Sequence, residues 1–221
     1  MIYRGWMIKP EYYQILQDFF GTRYTLINSA EQYKKCHYFP EIYDIIKDFT
    51  PYSMWFDSLD TIKIKDILSR FKDSFILKDY VKSEKGTNLF KFSVNISDNE
   101  FVKILTEFKN KRGNLFNKGY VLKQFVELKK YSGITNEWRL YFLNRKLISC
   151  SNNSNLENMV KPDIKWLYPI INKIGSNLFT IDIAEKEDGS WIIIETGDGQ
   201  VSGLSPNQNI LEFYSKLRDN V

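Results

Sequence analysis

Two acidic residues, Asp182 and Glu195, flank a stretch of sequence that has the pattern of a β-hairpin. Asp188-Gly189 is a strong two-residue turn, and the apolar runs at 178–184 and 191–194 predict its two strands. Counting outward from this turn gives the pairs Glu187 with Ser190, Ala184 with Ile193, and Asp182 with Glu195. The two acids should therefore lie opposite each other, about 5 Å apart at Cβ, where like charges destabilise a sheet.

Opposed carboxylates favour a positive charge between them. Hard divalent cations such as Mg²⁺ take oxygen ligands and usually bind through one or two carboxylates together with substrate phosphates. The first hypothesis is therefore a metal-nucleotide site at Asp182 and Glu195. The spacing alone leaves two alternatives open: the hairpin register is displaced by one residue, or Lys and Arg side chains neutralise the acids.

Two lysines have a sequence context that suits phosphate binding. Lys78 lies in the strand-like run FILKDYV, and Lys82 begins the polar loop that follows, at 82–88. The compact charge of a lysine can contact phosphate oxygens without a fixed geometry. A solvated surface position is the alternative for each of them.

A third candidate segment is a predicted strand with one polar face. Glu137, Arg139 and Tyr141 alternate with apolar residues, so they share a face that can line a binding site. A structural ion pair between Arg139 and Glu137 remains an alternative. Earlier in the chain, the apolar strand at 120–126 ends in Lys123-Gln124-Phe125-Val126, where backbone groups can contact a flat base.

Several catalytic and binding patterns are absent from the sequence. His37, the only histidine, lies in a helical, aromatic region and is interpreted as structural. The sequence contains no Ser-His-Asp arrangement, no P-loop and no dinucleotide fingerprint.

Composition sets limits on the class of protein. The 221 residues can form a core in one domain or in two lobes around a cleft. The 31 Lys and Arg and 27 Asp and Glu give a net charge of +4, and the basic residues are scattered, so nucleic acid is not a required partner. Aromatic residues make up 16% of the chain and occur at helix or strand spacing, which favours core packing over base stacking.

Cysteine usage and hydropathy indicate the compartment. Cys36 and Cys150 are isolated, with no metal-ligand or redox spacing, which fits free thiols in a reducing compartment. We find no signal peptide and no apolar run of about 18 residues. We therefore expect a soluble, cytoplasmic protein without a membrane span.

The elements that position these residues follow from periodicity and capping. The first third is predicted to be helical, with a capping box at Ser29 and Gln32 and a break at Thr50-Pro51. Further predicted helices lie at 61–71, 97–109, 156–174 and 207–217. Predicted strands lie at 75–81, 90–94, 120–127, 137–143 and 147–151, followed by the acidic hairpin. This order indicates two α+β lobes divided near residue 115.

The segments that carry these candidates resemble the ATP-grasp family, and within it the small clade named for two arginines and a lysine. The resemblance rests on YRGWM, CHYFPEIY, LKDYVKS, KQFVEL, NEWRLYF and TIDIAEKEDGSWIIIETGDGQVSGL. Members of that family carry an Asp on one strand and Glu-x-Asn on the next as Mg²⁺ ligands. Asp182 and Glu195 match the first two positions, whereas Gly197 replaces the Asn. Asp198 or Gln200 is then the candidate for the missing ligand, and we assign Asp198.

The resemblance implies an α+β, ATP-grasp-like fold with a nucleotide cleft between two α+β lobes, at 51–115 and 116–221. A reduced helical region at 1–50 precedes them. It implies ATP and Mg²⁺ as cofactors. The implied contacts are Lys78 and Lys82 with phosphates, Lys123, Gln124, Phe125 and Val126 with adenine, Glu137 with ribose or phosphate, Arg139 with the γ-phosphate or acyl phosphate, and Arg4 on the substrate side.

The activity implied is that of an ATP-dependent carboxylate–amine (or thiol) ligase that forms an acyl phosphate. Its partners would be a small-molecule or peptide carboxylate and an amine-type nucleophile. Two alternatives remain: a kinase that stops at phosphorylation, and an aromatic-rich module that binds single-stranded nucleic acid and in which the acids are structural.

Overall fold

The computed structural model describes residues 1–21, 23–58, 63–81, 91–154, 156 and 159–220. The chain forms two compact units, one of Met1–Thr50 with Glu127–Val221 and one of Pro51–Val126. The predicted break at Thr50-Pro51 is a unit boundary. The other boundary follows Val126 instead of residue 115, because the strand that begins at Tyr120 pairs with two strands of the smaller unit.

The first fifty residues therefore belong to the larger unit and do not form a region of their own. Their helices are α1 (Pro10–Phe20), α2 (Ala30–His37) and α3 (Phe39–Ile46). The elements of the smaller unit are β1 (Ser53–Phe56), α4 (Ile64–Leu68), β2 (Ser74–Asp79), β3 (Lys91–Ser93), α5 (Asp98–Arg112) and β4 (Tyr120–Gln124). The larger unit continues with β5 (Lys130–Tyr131), β6 (Ile134–Thr135), β7 (Glu137–Leu143), β8 (Lys146–Asn152), α6 (Tyr168–Ile171), β9 (Leu178–Glu185), β10 (Trp191–Asp198) and α7 (Ile210–Asn220).

The smaller unit is an antiparallel sheet in the order β1-β4-β2-β3. Phe75 and Leu77 of β2 and Leu122 of β4 pack into one core with Phe101 and Leu105 of α5. Side chains alternate between the faces of a strand, so the intervening residues of β2 and β4 belong to the opposite face. Burial of one face thus fixes the register of the whole sheet.

The larger unit is built on an antiparallel sheet in the order β10-β9-β7-β8. On one face, Tyr141, Leu143 and Leu178 pack against Phe213 and Leu217 of α7. This helix covers the end of the face that holds the C-terminal half of β7. The N-terminal half of β7 carries polar residues on that same face, so the face has an apolar end and a polar end.

The N-terminal helices are attached to this sheet by a buried asparagine. Asn28 Nδ2 donates to Leu178 O (2.7 Å) and to Asp198 Oδ2 (2.6 Å), and Asn28 Oδ1 accepts from Leu178 N (2.9 Å). The predicted capping box at Ser29 and Gln32 is confirmed at the start of α2. His37 is buried and stacks on Tyr33 at a centroid distance of 4.8 Å, in agreement with a structural role.

One predicted helix is wrong. Within 156–174 the described residues form only a 3₁₀ turn, Lys165–Leu167, and the short α6. Pro162 and Pro169 explain this outcome, because each lacks the amide donor that a continuous helix needs, and Pro169 instead lies in the first turn of α6. Strands β1, β5 and β6 were not predicted; they are short and lack a clear alternation.

Two predictions about the class of protein can be compared with the structure. Many of the largest fully buried side chains are Tyr or Phe, which confirms core packing as a main use of the aromatic residues. No helix in the described part of the chain is long and apolar enough to cross a membrane.

Candidate functional site

Arg139, Asp182 and Glu195 lie side by side on the polar end of the larger sheet. Arg139 of β7 is opposite Asp182 of β9, and Asp182 is opposite Glu195 of β10. Directly opposed residues of antiparallel strands share a face, so these charged side chains form a row across adjacent strands. The predicted pairing of Asp182 with Glu195 is confirmed.

The turn of the hairpin differs from the predicted one. Gly189 N donates to Lys186 O (2.9 Å), and Lys186 N donates to Ser190 O (2.8 Å). Gly189 has a φ of 80°, the left-handed conformation that glycine adopts without strain. The connection is therefore a three-residue loop that ends in a glycine bulge, and the predicted pair Glu187–Ser190 is wrong.

A second bulge restores the register that the longer loop displaces. Ala184 pairs with Ile192 instead of Ile193, and if this register continued, Asp182 would be opposite Ile194. The register shifts between Ile193 and Glu195, so that Glu195 becomes the partner of Asp182. The extra residue moves Glu195 from the hydrophobic face of the sheet to the polar face.

Arg139 and Asp182 form a bidentate ion pair. Arg139 Nε donates to Asp182 Oδ1 (2.8 Å) and Arg139 Nη2 donates to Asp182 Oδ2 (2.5 Å). Burial would lower the pKa of Arg139, but the hydrogen bonds and charge of Asp182 raise it above its usual range. Neutralisation of one acid by an arginine, left open by the sequence, thus applies to Asp182. Two of the roughly four acceptor positions of its carboxylate are used by the guanidinium.

Glu137 adds another carboxyl group to this end of the sheet. It precedes Arg139 by two residues on β7, and Thr135 Oγ1 donates to its Oε1 (2.5 Å). Burial raises the pKa of Glu137, the Thr135 hydrogen bond opposes the shift, and the charges of Asp182 and Glu195 raise the pKa further. The acidic side chains therefore repel one another in spite of the nearby arginine.

This donor set fits a cation that takes part of its coordination from a bound molecule. Among the described residues, no three His, Cys, Asp or Glu side chains are arranged to hold a metal ion. Asp182 and Glu195 supply two carboxylates from directly opposed positions of adjacent strands. Mg²⁺ commonly binds through one or two carboxylates and completes its shell with phosphate oxygens and water.

Both predicted arginines bind the loop that follows β10. Arg139 Nη1 donates to Gly203 O (2.8 Å), and Arg4 Nη1 donates to Gly199 O (2.8 Å) and Ser202 O (3.3 Å). Tyr141 Oη donates to the carbonyl oxygens of Ser202 (2.7 Å) and Gly203 (2.9 Å). Arg4 thus lies at the same loop as Arg139, and its visible contacts hold that loop in place.

The candidate lysines belong to the smaller unit. Lys78 is opposite Val121, and Lys123 is opposite Ile76, so both lysines lie on the face that is not packed against α5. The exposed fraction is only 5% for Lys78 and 3% for Lys123, so these are not ordinary solvated surface lysines. Lys82 lies outside the described residues.

The segment that follows β4 contains the boundary between the two units, after Val126. Gln124 N donates to Tyr52 O (2.7 Å) and Phe125 N donates to Ser74 O (3.0 Å). The Gln124 side chain also donates to Ser74 O (2.9 Å). These hydrogen bonds occupy the backbone amides of Gln124 and Phe125, two of the groups that the sequence predicts to contact adenine. The predicted contact is then left to the other backbone groups of 123–126.

Comparison with known proteins places the chain in a family. The model of an ATP-grasp domain, family 3 of the clade named for two arginines and a lysine, matches residues 67–217. This chain belongs to that clade of the ATP-grasp family. A comparison with curated proteins gives no significant match.

Solved structures confirm the ATP-grasp fold. The D-alanine–D-alanine ligase of Bacillus anthracis in complex with ATP matches with a TM-score of 0.66 at 8% identity, over 94% of this chain and 74% of that one. A RimK-domain ATP-grasp protein of Sphaerobacter thermophilus matches with a TM-score of 0.65 at 13% identity, over 99% and 79%. The N5-carboxyaminoimidazole synthetase of Staphylococcus aureus in complex with ADP gives 0.62 at 12% identity, over 96% and 58%.

In this ATP-grasp chain, the asparagine of the family pattern would displace two hydroxyl groups that lie beside Gly197. Gly197 is opposite Thr180, on the face that carries Asp182 and Glu195. A Cβ atom at Gly197 would lie 2.9 Å from both Ser202 Oγ and Thr180 Oγ1. The two hydroxyl groups, themselves 2.9 Å apart, occupy that space. Sequence analysis did not identify Thr180 or Ser202, and the glycine in the Glu-x-Asn pattern was the only available signal.

The structure does not place Asp198 with the predicted metal ligands. Asp198 is opposite Phe179, on the other face of the sheet from Glu195, and it is fully buried. Its carboxylate accepts from Asn28 Nδ2 (2.6 Å) and Gln200 N (2.9 Å). The predicted assignment of Asp198 as a metal ligand is therefore wrong, because alternation along β10 directs its side chain to the N-terminal helices. Gln200, the other candidate ligand, donates a hydrogen bond from Nε2 to Tyr13 Oη and accepts one at Oε1 from Tyr3 N.

Burial of Asp198 predicts a specific pH dependence. Burial raises its pKa from 3.8 to about 7, although hydrogen bonds from Asn28 and Gln200 oppose the shift. A raised pKa in the folded state contributes stability that is complete below the unfolded pKa and is lost as the pH rises through the folded pKa. We expect this contribution to fall between about pH 4 and pH 7, and Asp198→Asn to flatten that part of the profile.

Urea unfolding at a series of pH values measures the free energy of unfolding for this test. The exposed Asp48→Asn variant is the control and should keep the slope of the original protein. An Asp198→Asn slope equal to that of the control would contradict the prediction, whatever the absolute stability of the variant.

Proposed function

We propose that this ATP-grasp protein is an ATP-dependent ligase that joins a carboxylate to an amine-type nucleophile through an acyl phosphate. The observation that carries the proposal is the row of Arg139, Asp182 and Glu195 on one face of the larger sheet. It offers a planar cation for an anionic group next to two carboxylates for a divalent cation. Relatives of the same fold are a ligase crystallised with ATP and a synthetase crystallised with ADP.

In this proposal Asp182 and Glu195 hold Mg²⁺. When bound, the ion would supply positive charge that offsets the negative charge of the nucleotide phosphates during phosphoryl transfer. The two hydrogen bonds from Arg139 orient the Asp182 carboxylate. Glu137 contacts the ribose or phosphate side of the nucleotide.

The smaller unit supplies nucleotide contacts. Lys78 is buried on a rigid strand, so its ammonium group is held in a limited volume, which suits contact with phosphate oxygens. Lys82 is proposed for the same role. Backbone groups in 123–126 contact adenine.

Arg139 is proposed to contact the transferred phosphoryl group. Its guanidinium holds Asp182 through Nε and Nη2 and Gly203 O through Nη1. These bonds fix the plane of the group before substrate binds, so little reorganisation is needed as charge develops on the phosphoryl oxygens. Arg4 positions the 199–203 loop beside it.

The proposal is tested by ADP release from Mg²⁺-ATP in the presence of pooled acids and pooled amines. A ligase requires both substrates, and hydroxylamine should replace the amine and trap the acyl phosphate as a hydroxamate. ADP release with the acid alone, with no hydroxamate formed when hydroxylamine is added, would support the kinase alternative. Salt-sensitive oligonucleotide binding without any ATP binding would support a nucleic-acid module.

Glu195→Gln tests the metal site. The variant removes one carboxylate but keeps the side-chain shape, so we expect the Mg²⁺ concentration needed for half-maximal ATP binding to rise at least ~tenfold. Thermal stability without metal should stay equal or increase, because a like-charge contact is lost. Glu187→Gln, in the exposed turn of the same hairpin, is the matched control. Equal Mg²⁺ dependence in both variants would remove Glu195 from the site.

Lys78→Ala tests the phosphate contact. We expect ATP affinity or turnover to fall at least ~tenfold, which corresponds to about 1.4 kcal/mol. Calorimetric ATP titration and the ADP assay measure the two quantities. Lys72→Ala, at an exposed lysine of the same unit, should have no effect. Unchanged affinity and rate for Lys78→Ala would exclude this role.

Arg139→Lys distinguishes an enzyme from a nucleotide-binding protein. Lysine keeps the charge but loses the planar fork, so we expect kcat to fall by ~100-fold or more while the Kd for ATP changes by less than about tenfold. Steady-state kinetics and ATP titration give the two values. Equal losses in kcat and in ATP affinity would instead assign Arg139 to ground-state binding.

A further inference from the structure

Helix α1 has apolar side chains on two faces, and only one of these faces is packed. Tyr13 is fully buried and stacks on Tyr33 of α2 at a centroid distance of 4.1 Å. Tyr12, Ile15 and Phe19 lie about 100° or more around the helix from Tyr13, and their exposed fractions are 58%, 62% and 77%. These three side chains are called the α1 stripe. A surface helix normally carries polar residues away from its core face, so the stripe is typical of an interface with another molecule.

The spacing of the stripe matches the seam of two packed helices. Ile15 follows Tyr12 by three residues, and Phe19 follows Ile15 by four. These are the a, d and a positions of a seven-residue repeat written a to g. The three side chains lie within an arc of about 60° and extend over roughly 10 Å along the helix. The surface that fits such a seam is another helix with the same spacing.

Exposed charges beside the stripe favour an identical helix that runs parallel. Glu11 and Asp18 occupy the g positions on one side of the stripe, and Arg23 occupies the e position on the other side. The helical path continues to this arginine, since Tyr24 N donates to Phe20 O (2.8 Å). In a parallel pair, Asp18 of each copy faces Arg23 of the other. An antiparallel pair would instead bring Asp18 of one copy near Glu11 of the other, which is a like-charge contact.

The exposed area of the stripe suits a weak dimer. Side chains of this size present roughly 180 Å² each when fully exposed, so the three together expose about 350 Å² in one copy. Two copies would bury about 700 Å² of apolar surface. The charged residues beside the stripe bring the total to the order of 1,000 Å², the lower end of the range for specific interfaces.

We infer that a second copy of this chain covers the α1 stripe, in a symmetric dimer whose two α1 helices run parallel. The two-fold axis lies along the helices, so Ile15 of one copy packs against Ile15 of the other. Both copies use the same surface, which closes the assembly at two chains. The dimer requires neither ATP nor Mg²⁺, so its formation is measured independently of the proposed ligase activity.

Sedimentation velocity over about two orders of magnitude in protein concentration measures the dimer. The average mass should rise with concentration from that of the monomer to twice that value. Phe19→Glu places a charge in the stripe of both copies, so we expect the Kd of the dimer to rise at least ~tenfold. Leu211→Glu, at an 82% exposed leucine of α7, is the matched control and should stay within about twofold of the original protein. A monomer at every concentration, or equal effects of the two variants, would overturn the inference.

Charge reversal tests the parallel arrangement. Asp18→Lys and Arg23→Glu each create two like-charge contacts in the dimer, so we expect either change to raise the Kd at least ~threefold. The double variant has opposite charges across the interface again and should return to within about twofold of the original Kd. Lysine near the C-terminus of α1 favours the helix, so a weaker dimer in Asp18→Lys does not result from loss of the helix. A stronger dimer in Asp18→Lys would contradict the parallel arrangement.

A disulfide between copies tests the contact at the two-fold axis. Ile15→Cys is made in a Cys150→Ser background, which leaves the buried Cys36 as the other thiol. Oxidised glutathione should link two copies through residue 15, because a disulfide requires two Cβ atoms about 4 Å apart. Gln14→Cys, at an exposed position outside the stripe, is the control. Non-reducing electrophoresis should show the linked dimer for Ile15→Cys alone, and equal linking of the two variants would overturn the inference.

Discussion

The candidate site depends on a single extra residue in β10. A sheet has a side-chain period of two residues, so a shift of one residue transfers every following side chain to the opposite face. The three-residue loop at Gly189 would place Ile194 opposite Asp182, and the bulge reverses that shift. Glu195 therefore faces Asp182 on the polar side, while Ile193 remains in the core. The turn and the bulge together keep Ile193 on the apolar face of β10 and place Glu195 on the face that carries Asp182.

The polar end of the larger sheet carries one arginine and several carboxylates close together. Asp182 has a bidentate partner in Arg139, but Glu137 and Glu195 raise the local negative potential, and the pKa of Glu137 responds to it. Like charges held close together cost folding stability, so this cluster lowers the stability of the sheet. It is well suited to bind a cation, which would relieve the repulsion. A site of this kind is expected to trade stability for function.

The loop after β10 connects the site to the N-terminal region. Its carbonyl oxygens accept from Arg4, Tyr141 and Arg139, so residues distant in sequence fix one short segment. On the other face of β10, Asp198 bonds to Asn28 and fastens the helices to the sheet. Adjacent positions of one strand therefore serve opposite purposes: Gly197 faces the site and Asp198 faces the core. The N-terminal helices accordingly form part of the larger unit.

The sequence by itself determined the features that depend on local order. Proline, capping and alternation determined α1, the capping box at Ser29 and strand β7. Counting from the predicted turn gave the correct pair of Asp182 and Glu195 only because the longer loop and the bulge cancel each other. The family was recognisable from short motifs. Tertiary structure alone decided the loop length, the bulge, the ion pair of Asp182 with Arg139 and the burial of Asp198. These features depend on which face of each strand is packed and on what lies against it, and contacts between residues far apart in the chain leave no periodic signal in sequence.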